Sequence, residues 1–190
     1  MRSGTVIDTS VMLNLLGSGH AETILRAMSG RRIVIHIASG EVLRHPLPGH
    51  AAGAPLEPLL GANLLEQVAL PAEAHARFIE FTGADPPDDL DDGEAASMAA
   101  AEHLGLAVAL DERKGRRVAR ERIPRVAVIS SIDIFAMTAV KVALGHHLED
   151  AVFSACFHAR MRVLPEHEEW VRKLLGPTRA AQCPSLRRRT

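Results

Sequence analysis

The sequence contains few cysteine residues and few aromatic ones. Its 190 residues include two Cys, five Phe, one Trp and no Tyr. Cys156 and Cys183 are too few for a disulfide framework, and their spacing matches no metal-binding motif. A platform that stacks the bases of single-stranded nucleic acid needs exposed aromatic side chains, which this composition does not favour. We therefore expect a protein of a reduced, cytoplasmic compartment whose aromatic residues serve the core.

The sequence also lacks an excess of charge of either sign and a long apolar run. Lys and Arg total 22 against 23 Asp and Glu, so any contact with nucleic acid must come from local basic patches. No segment approaches the roughly 18 consecutive apolar residues that a membrane span requires. The N-terminus enters a strand without the basic region and apolar run of a signal peptide. These absences predict a soluble, intracellular protein with no membrane partner.

Short apolar runs alternate with helical patterns along the chain. Five predicted strands cover residues 5–8, 31–37, 64–70, 106–110 and 126–130. The main helical patterns cover residues 10–16, 21–28, 72–82, 93–104, 112–122, 132–144, 148–161 and 166–175. Because strands that alternate with helices form parallel βαβ units, we expect an α/β fold. We expect a single domain over residues 1–175, a loop over residues 45–58, and a basic, disordered tail over residues 176–190.

Four acidic residues follow strands or begin helices in this scheme. They are Asp8, Glu41, Glu94 and Asp111. In an open α/β sheet, ligands bind beyond the carboxyl ends of the strands. We therefore expect the four side chains to converge on one edge of the sheet.

Each acidic residue also has a structural interpretation that involves no ligand. Asp8 could cap the following helix, and Asp91 with Glu94 matches a capping box. Glu41 would lie in the first turn of a helix, where the helix dipole favours negative charge. Asp111 could be an ordinary turn residue. These interpretations do not explain why all four acids fall at one edge, which a shared metal site does.

Carboxylates at one edge of a sheet suit a divalent cation, because Mg²⁺ and Mn²⁺ prefer oxygen ligands. Two such ions can activate water and stabilise the leaving oxygen of a phosphodiester. A basic helix follows Asp111 directly and could contact phosphates. Its candidate phosphate contacts are Arg113, Lys114, Arg116 and Arg117. A solvated basic face is the alternative interpretation.

Four segments in this order resemble the motifs of PIN-domain proteins, which include the VapC-type toxin ribonucleases. Residues 6–10 (VIDTS) resemble the opening strand of that family, and residues 39–42 (SGEV) its second acidic motif. Residues 92–96 (DGEAA) resemble the helix start of one PIN subgroup, and residues 110–119 (LDERKGRRVA) the fourth acidic strand end with its following helix. The resemblance runs from about residue 5 to residue 164.

The resemblance implies a three-layer α/β/α sandwich with a central parallel sheet and Mg²⁺- or Mn²⁺-dependent cleavage of RNA. Its acidic quartet would be Asp8, Glu41, Glu94 and Asp111, with Asp8, Glu94 and Asp111 as metal ligands. Many PIN domains have an aspartate at the third position, so Asp92 is the alternative to Glu94. Further polar residues near the metal would be Ser10, Ser130 or Ser131, and Asp133, although Asp133 could instead cap the helix that begins at Ile132. A homodimer and an antitoxin partner are further expectations from the family.

Other enzyme classes fit less well. A phosphotransferase of the haloacid dehalogenase type needs Asp-x-Asp, but Ser10 stands at its second acidic position. A dinucleotide-binding domain needs a glycine-rich turn after the first strand, which residues 8–10 do not supply. No pair of histidines has the His-Glu-x-x-His spacing of a zinc hydrolase. The alternative to a nuclease is a PIN-like RNA-binding or scaffolding protein without catalytic turnover.

Overall fold

The chain folds around a five-stranded sheet in which all strands are parallel, with the spatial order β3-β2-β1-β4-β5. The computed structural model describes residues 3–39, 46–49 and 55–186. The strands are β1 (Gly4–Ile7), β2 (Arg31–Ile35), β3 (Glu66–Val68), β4 (Ala107–Ala109) and β5 (Val128–Ile129). The predicted α/β fold with a central parallel sheet is confirmed. β1 has the predicted length but begins and ends one residue earlier, and the other four strands are shorter than predicted and lie within the apolar runs that identified them.

Helices cover both faces of the sheet and complete a three-layer α/β/α sandwich. The helices of the described residues are α1 (Thr9–Gly17), α2 (Ala21–Ala27), α3 (His36–Ser39), α4 (Glu57–Gly61), α5 (His75–Thr82), α6 (Asp92–Leu104), α7 (Arg113–Arg122), α8 (Ser131–Ala136), α9 (Thr138–Leu144), α10 (Leu148–His158) and α11 (Pro165–Gln182). The predicted helix over residues 132–144 is two helices, because the backbone is extended at Met137.

Alternate residues of the central strands enter two separate apolar cores. Val6 packs with helices α5, α6 and α7 on one face, and Ile7 packs with α1, α2 and the C-terminal helices on the other. Val108 and Ala109 divide in the same way on β4. Successive side chains of a strand point to opposite faces, so a sheet that is covered on both faces needs the continuous apolar runs seen here.

The C-terminal segment differs from the predicted disordered tail. Residues 176–186 are ordered, and Ala180, Cys183 and Leu186 are buried in the same core as α1. Gly176 has φ 67°, which interrupts α11, and Pro177 follows at the start of the second helical piece. Proline is well suited to a first helical position because it has no N–H to leave unpaired. The proline content suggested disorder, whereas the burial of Ala180, Cys183 and Leu186 in the core accounts for the ordered segment.

Among the described residues, no helix combines the length and the apolar character needed to cross a membrane.

Candidate functional site

The order of the sheet reverses between β1 and β4. The chain moves from β1 outward to β2 and β3, and then returns to the other side of β1 to form β4 and β5. Asp8 directly follows β1, and its N–H donates to the carbonyl of Ala109 at the end of β4 (3.1 Å). Asp111 follows β4 by two residues. Both acids therefore lie at the reversal point, where open α/β sheets bind ligands.

Asp8 is the N-cap of α1 and is 3% exposed. Its Oδ2 accepts hydrogen bonds from the backbone N–H and the hydroxyl of Ser10, at 3.1 and 2.7 Å. Burial raises the pKa of Asp8 to about 6, although the Ser10 hydrogen bonds act in the opposite direction. The capping interpretation is correct, and Ser10, expected as a polar residue near the metal, binds the capping carboxylate. A cap does not require burial, so capping alone leaves the position of this carboxylate unexplained.

Three donors hold the carboxylate of Asp111. The backbone N–H of Ser131 donates to Oδ1 (2.8 Å), while the Ser131 hydroxyl and the Asn14 amide both donate to Oδ2 (2.5 Å each). Burial raises the pKa of Asp111, and these hydrogen bonds partly offset the rise. Asp111 is therefore a fixed, buried carboxylate and not an ordinary turn residue.

The Glu94 carboxylate has fewer hydrogen-bond partners than those of Asp8 and Asp111. It is 3% exposed, and its Oε1 is buried without a hydrogen-bond partner among the described residues. Burial raises the pKa of Glu94 to about 8, and the negative charges of Asp91 and Asp8 add to the effect. Asp91 caps α6 by accepting from the Glu94 N–H (2.8 Å). In the described part of the chain, Asp91 accepts from the Glu94 N–H, but the return bond from the Glu94 side chain is not found. Capping therefore does not explain the position of the Glu94 side chain.

Gly115 of α7 lies directly against the Glu94 carboxylate. A β-carbon at this position would overlap the Glu94 Oε1 and Cδ atoms. The backbone of α7 can approach the carboxylate this closely only because residue 115 has no side chain.

A second hydrogen-bonded group lies beside Asp111. Ser130 and Asp133 form a capping box at the start of α8, with the Ser130 hydroxyl 2.6 Å from Asp133 Oδ2. His167 Nε2 lies 2.6 Å from the other oxygen of Asp133. Burial would raise the pKa of Asp133, but the hydrogen bonds from Ser130 and His167 outweigh it and lower the pKa. The interpretation of Asp133 as a helix cap is thus correct, while both candidate serines contact an aspartate.

Arg116 is buried in this region and does not face solvent. Its guanidinium lies 3.8 Å from Asp133 and 4.0 Å from Glu166, and Nη1 has no hydrogen-bond partner among the described residues. Its positive charge also opposes the rise in the pKa of Asp111 that burial causes. Arg116 therefore acts as a counter-ion inside the protein. This buried position does not favour the predicted role of Arg116 as an RNA phosphate contact.

The remaining predicted residues divide into three groups. Asp92, the alternative to Glu94, is exposed in the first turn of α6, and Arg113 and Lys114 are exposed on α7. Arg117 is partly buried and pairs with Asp88 (2.6 Å). Glu41 lies outside the described residues, so its predicted place in the quartet stays a prediction.

We refer to Asp8, Glu94 and Asp111 as the carboxylate site. Its donors have the chemistry that a hard divalent cation prefers, and the buried, unpartnered Glu94 oxygen suits such an ion. Within residues 3–39, 46–49 and 55–186, no three His, Cys, Asp or Glu side chains are arranged to hold a metal ion. The residue types therefore fit a cation, whereas a closed coordination shell is not formed by the described side chains.

The sequence interpretation missed two polar residues that support the site. Asn14 donates to both Asp111 and Ser131, and it is the one amide in the apolar run over residues 11–16. A buried amide on an otherwise apolar helix needs a polar partner, which is a signal that the sequence contained. His167 gave no such signal, because only the packing of α11 brings it to Asp133.

Comparisons of this chain with protein-family models, with curated proteins and with solved structures found no match.

Proposed function

We propose that this protein is a PIN-like, metal-dependent ribonuclease that hydrolyses RNA phosphodiesters at the carboxylate site. The observation that carries the proposal is the buried Glu94 carboxylate, whose Oε1 has no partner among the described residues and which lies near Asp8 at the reversal point of the sheet. An unpaired buried carboxylate is costly unless a proton or a cation neutralises it. A Mg²⁺ or Mn²⁺ ion would remove that cost.

Asp8, Glu94 and Asp111 would hold the cation, with Glu41 as the fourth acid of the quartet. When bound, the ion would supply an activated water and stabilise charge on the phosphate. Ser131 and Asn14 fix the orientation of Asp111 by hydrogen bonds. Ser10 fixes Asp8 in the same way, so both carboxylates are held before a ligand arrives.

Cation binding can be tested without measuring turnover. Mn²⁺ at about 100 times its Kd should stabilise the protein by about 2.7 kcal/mol in a thermal or urea melt. Glu94→Gln should remove this stabilisation, because the amide is a weaker metal ligand. Asp92→Asn, which changes an exposed neighbour in the same helix turn, is the matched control and should keep it. Equal loss in both variants, or none in either, would contradict the assignment of Glu94 as a ligand.

Cleavage is tested with a mixture of labelled RNA substrates in Mn²⁺. We expect products that disappear with EDTA and with Asp8→Asn, and that persist with Asp92→Asn. The absence of Mn²⁺-dependent cleavage by the folded protein across varied substrates would exclude the nuclease.

A narrower form of the proposal is the toxin of a toxin–antitoxin pair. Expression alone should then arrest bacterial growth, and Asp111→Ala should relieve the arrest. A homodimer and an antitoxin protein are the partners that this form expects.

The second candidate is a PIN-like RNA-binding protein without turnover. The observation that favours it is that the described residues do not hold three metal-binding side chains around one point. RNA binding that survives EDTA and Asp8→Asn, together with no cleavage in Mn²⁺, would favour this candidate over the nuclease.

A further inference from the structure

A basic groove of about 1030 Å³ lies between the start of α7 and the connection from α10 to α11. The 3₁₀ turn Pro184–Leu186 contributes Pro184 and Ser185 to its lining. Among the described residues, five cations and one acid, Glu112, line the groove. The cations are Arg113, Lys114, Arg117, Arg160 and Arg162. The groove therefore has a strongly positive lining in a chain whose formal net charge is only −1.

Two of the five cations already have carboxylate partners. Arg117 pairs with Asp88 at 2.6 Å, and Lys114 lies 3.7 Å from Asp89. Arg113, Arg160 and Arg162 are exposed and form no ion pair within the described residues. Their charges are thus available to a ligand, and they stand on both walls of the groove.

The backbone around Met161 holds in place the arginines that form the second wall of the groove. Met161 is fully buried, and its N–H donates to the carbonyl of Ala155 in α10 (3.0 Å). Arg160 and Arg162 flank this anchored residue, and both side chains line the groove. Arg160 has φ 58°, a conformation at the end of a helix that usually selects Gly or Asn. The backbone conformation therefore does not favour arginine at this position, and a role for the side chain would account for it.

The groove adjoins the carboxylate site. Glu112, in the groove lining, directly follows Asp111, and the charges of Glu112 and Lys114 both act on the pKa of Glu94. Gly115, one residue beyond Lys114, touches the Glu94 carboxylate. The groove therefore lies next to the carboxylate site along α7.

We propose that the basic groove binds the sugar–phosphate backbone of a single RNA strand next to the scissile phosphate, with Arg160 and Arg162 as its second wall. This inference rests on the proposed function. No aromatic residue of the described part of the chain lines the groove, so contact is through charge and not through stacked bases. Binding in the groove is accordingly insensitive to base sequence, and sequence selection belongs elsewhere.

The test measures the salt dependence of binding for a fluorescent 12-nucleotide oligouridylate in EDTA, where cleavage is absent. For single strands, the slope of log affinity against log salt concentration becomes steeper by about 0.7 for each phosphate contact. The double variant Arg160→Gln/Arg162→Gln removes two contacts, so its slope should be shallower by about 1.4. Arg120→Gln/Arg125→Gln is the matched control, because both arginines are exposed and neither lines the groove. The control should retain the slope of the unmodified protein.

An equal change of slope in both double variants would overturn the assignment of the groove as an RNA-binding site, since it would indicate only a loss of overall charge. An unchanged slope in Arg160→Gln/Arg162→Gln would overturn it as well, even if the protein cleaves RNA in Mn²⁺. Binding of labelled polyglutamate without binding of the oligouridylate would assign the groove to an acidic peptide and overturn the RNA assignment. The expected slope change together with no cleavage in Mn²⁺ would support the groove and reject the nuclease, so the two proposals fail separately.

Discussion

The side-chain amide of Asn14 donates to Oδ2 of Asp111, 97 residues later in the sequence, over 2.5 Å. The same amide lies 3.1 Å from the Ser131 hydroxyl, which itself donates to Asp111. One buried amide thus links α1, the end of β4 and the start of α8. The geometry of the carboxylate site depends on this link as much as on the carboxylates.

Asn14→Ala should destabilise the protein by about 1–3 kcal/mol, because buried polar groups of Asp111 and Ser131 lose a partner. Urea denaturation followed by circular dichroism measures the change. Ser10→Ala is the comparison variant, since it removes a single hydrogen bond from a partly buried position and should cost about 1 kcal/mol or less. A smaller loss for Asn14→Ala than for Ser10→Ala would contradict the importance given to the amide.

Gly115→Ala should abolish binding of Mn²⁺ and lower stability, because the added methyl group displaces the Glu94 carboxylate. The sign of the stability change is informative, since replacing a helical glycine by alanine normally stabilises a protein by about 0.5–1 kcal/mol. Gly61→Ala provides the control, because no atom lies within 4 Å of its added β-carbon. Thermal melts with and without Mn²⁺ separate the two effects. A stabilised Gly115→Ala protein that still binds Mn²⁺ would show that the contact with Glu94 is unimportant.

The metal-free protein should lose stability as the pH rises from about 5 to about 8. The folded protein holds a proton on Glu94 up to a pKa of about 8, whereas the unfolded chain releases it near the ordinary pKa of 4.5. Protons bound only by the folded state favour folding at low pH, so this contribution is complete below pH 4.5 and is lost on the way to pH 8. Asp8 adds the same effect between its ordinary pKa of 3.8 and about 6.

Glu94→Gln isolates the Glu94 contribution. Relative to this variant, the unmodified protein in EDTA should become less stable by a few kcal/mol between pH 5 and pH 8, at about 1.4 kcal/mol per unit of pKa shift. Urea melts at several pH values give the difference directly. If stability changes with pH in the same way in both proteins, burial does not raise the pKa of Glu94.

Leu186→Ala should cost about 2–5 kcal/mol, because Leu186 is 2% exposed and packs in the core of α1 and α10. Val142→Ala, at a side chain that is 76% exposed, should change stability by less than about 0.5 kcal/mol. Urea denaturation compares the two. Equal, small effects would show that the C-terminal turn does not belong to the folded core.

The sheet was predictable because its information is local. Continuous apolar runs such as residues 106–110 identify strands that are buried on both faces, and Gly105 with φ 66° ends α6 as its position predicts. Alternation with helices then implied parallel strands. The strand order also needs the pairing of β1 with both β2 and β4, which no local pattern contains.

The candidate site was predictable only in part. Asp8 and Asp111 follow strands, so their placement came from the sequence pattern, whereas the burial of Arg116 depends on how α7 packs against α8 and α11. A run of basic residues in the sequence does not indicate which of its side chains is buried. Arg160 and Arg162 lie 38 and 40 positions beyond Arg122, the last residue of α7, so their place across the groove from α7 follows only from the tertiary fold.

The partners of Asp111 have a consequence for the newly synthesised chain. Two of its three hydrogen bonds come from Ser131, and Ser154 in α10 donates to the carbonyl of Gly17 at the end of α1 (2.7 Å). Contacts this far apart in sequence form only after long loops have closed. A nascent chain that ends just after Asp111 therefore contains all the described carboxylates and Asn14, but it lacks both Ser131 donors. Assembly of the site has to wait until α8 has emerged, so partial chains that stop before residue 131 should be inert.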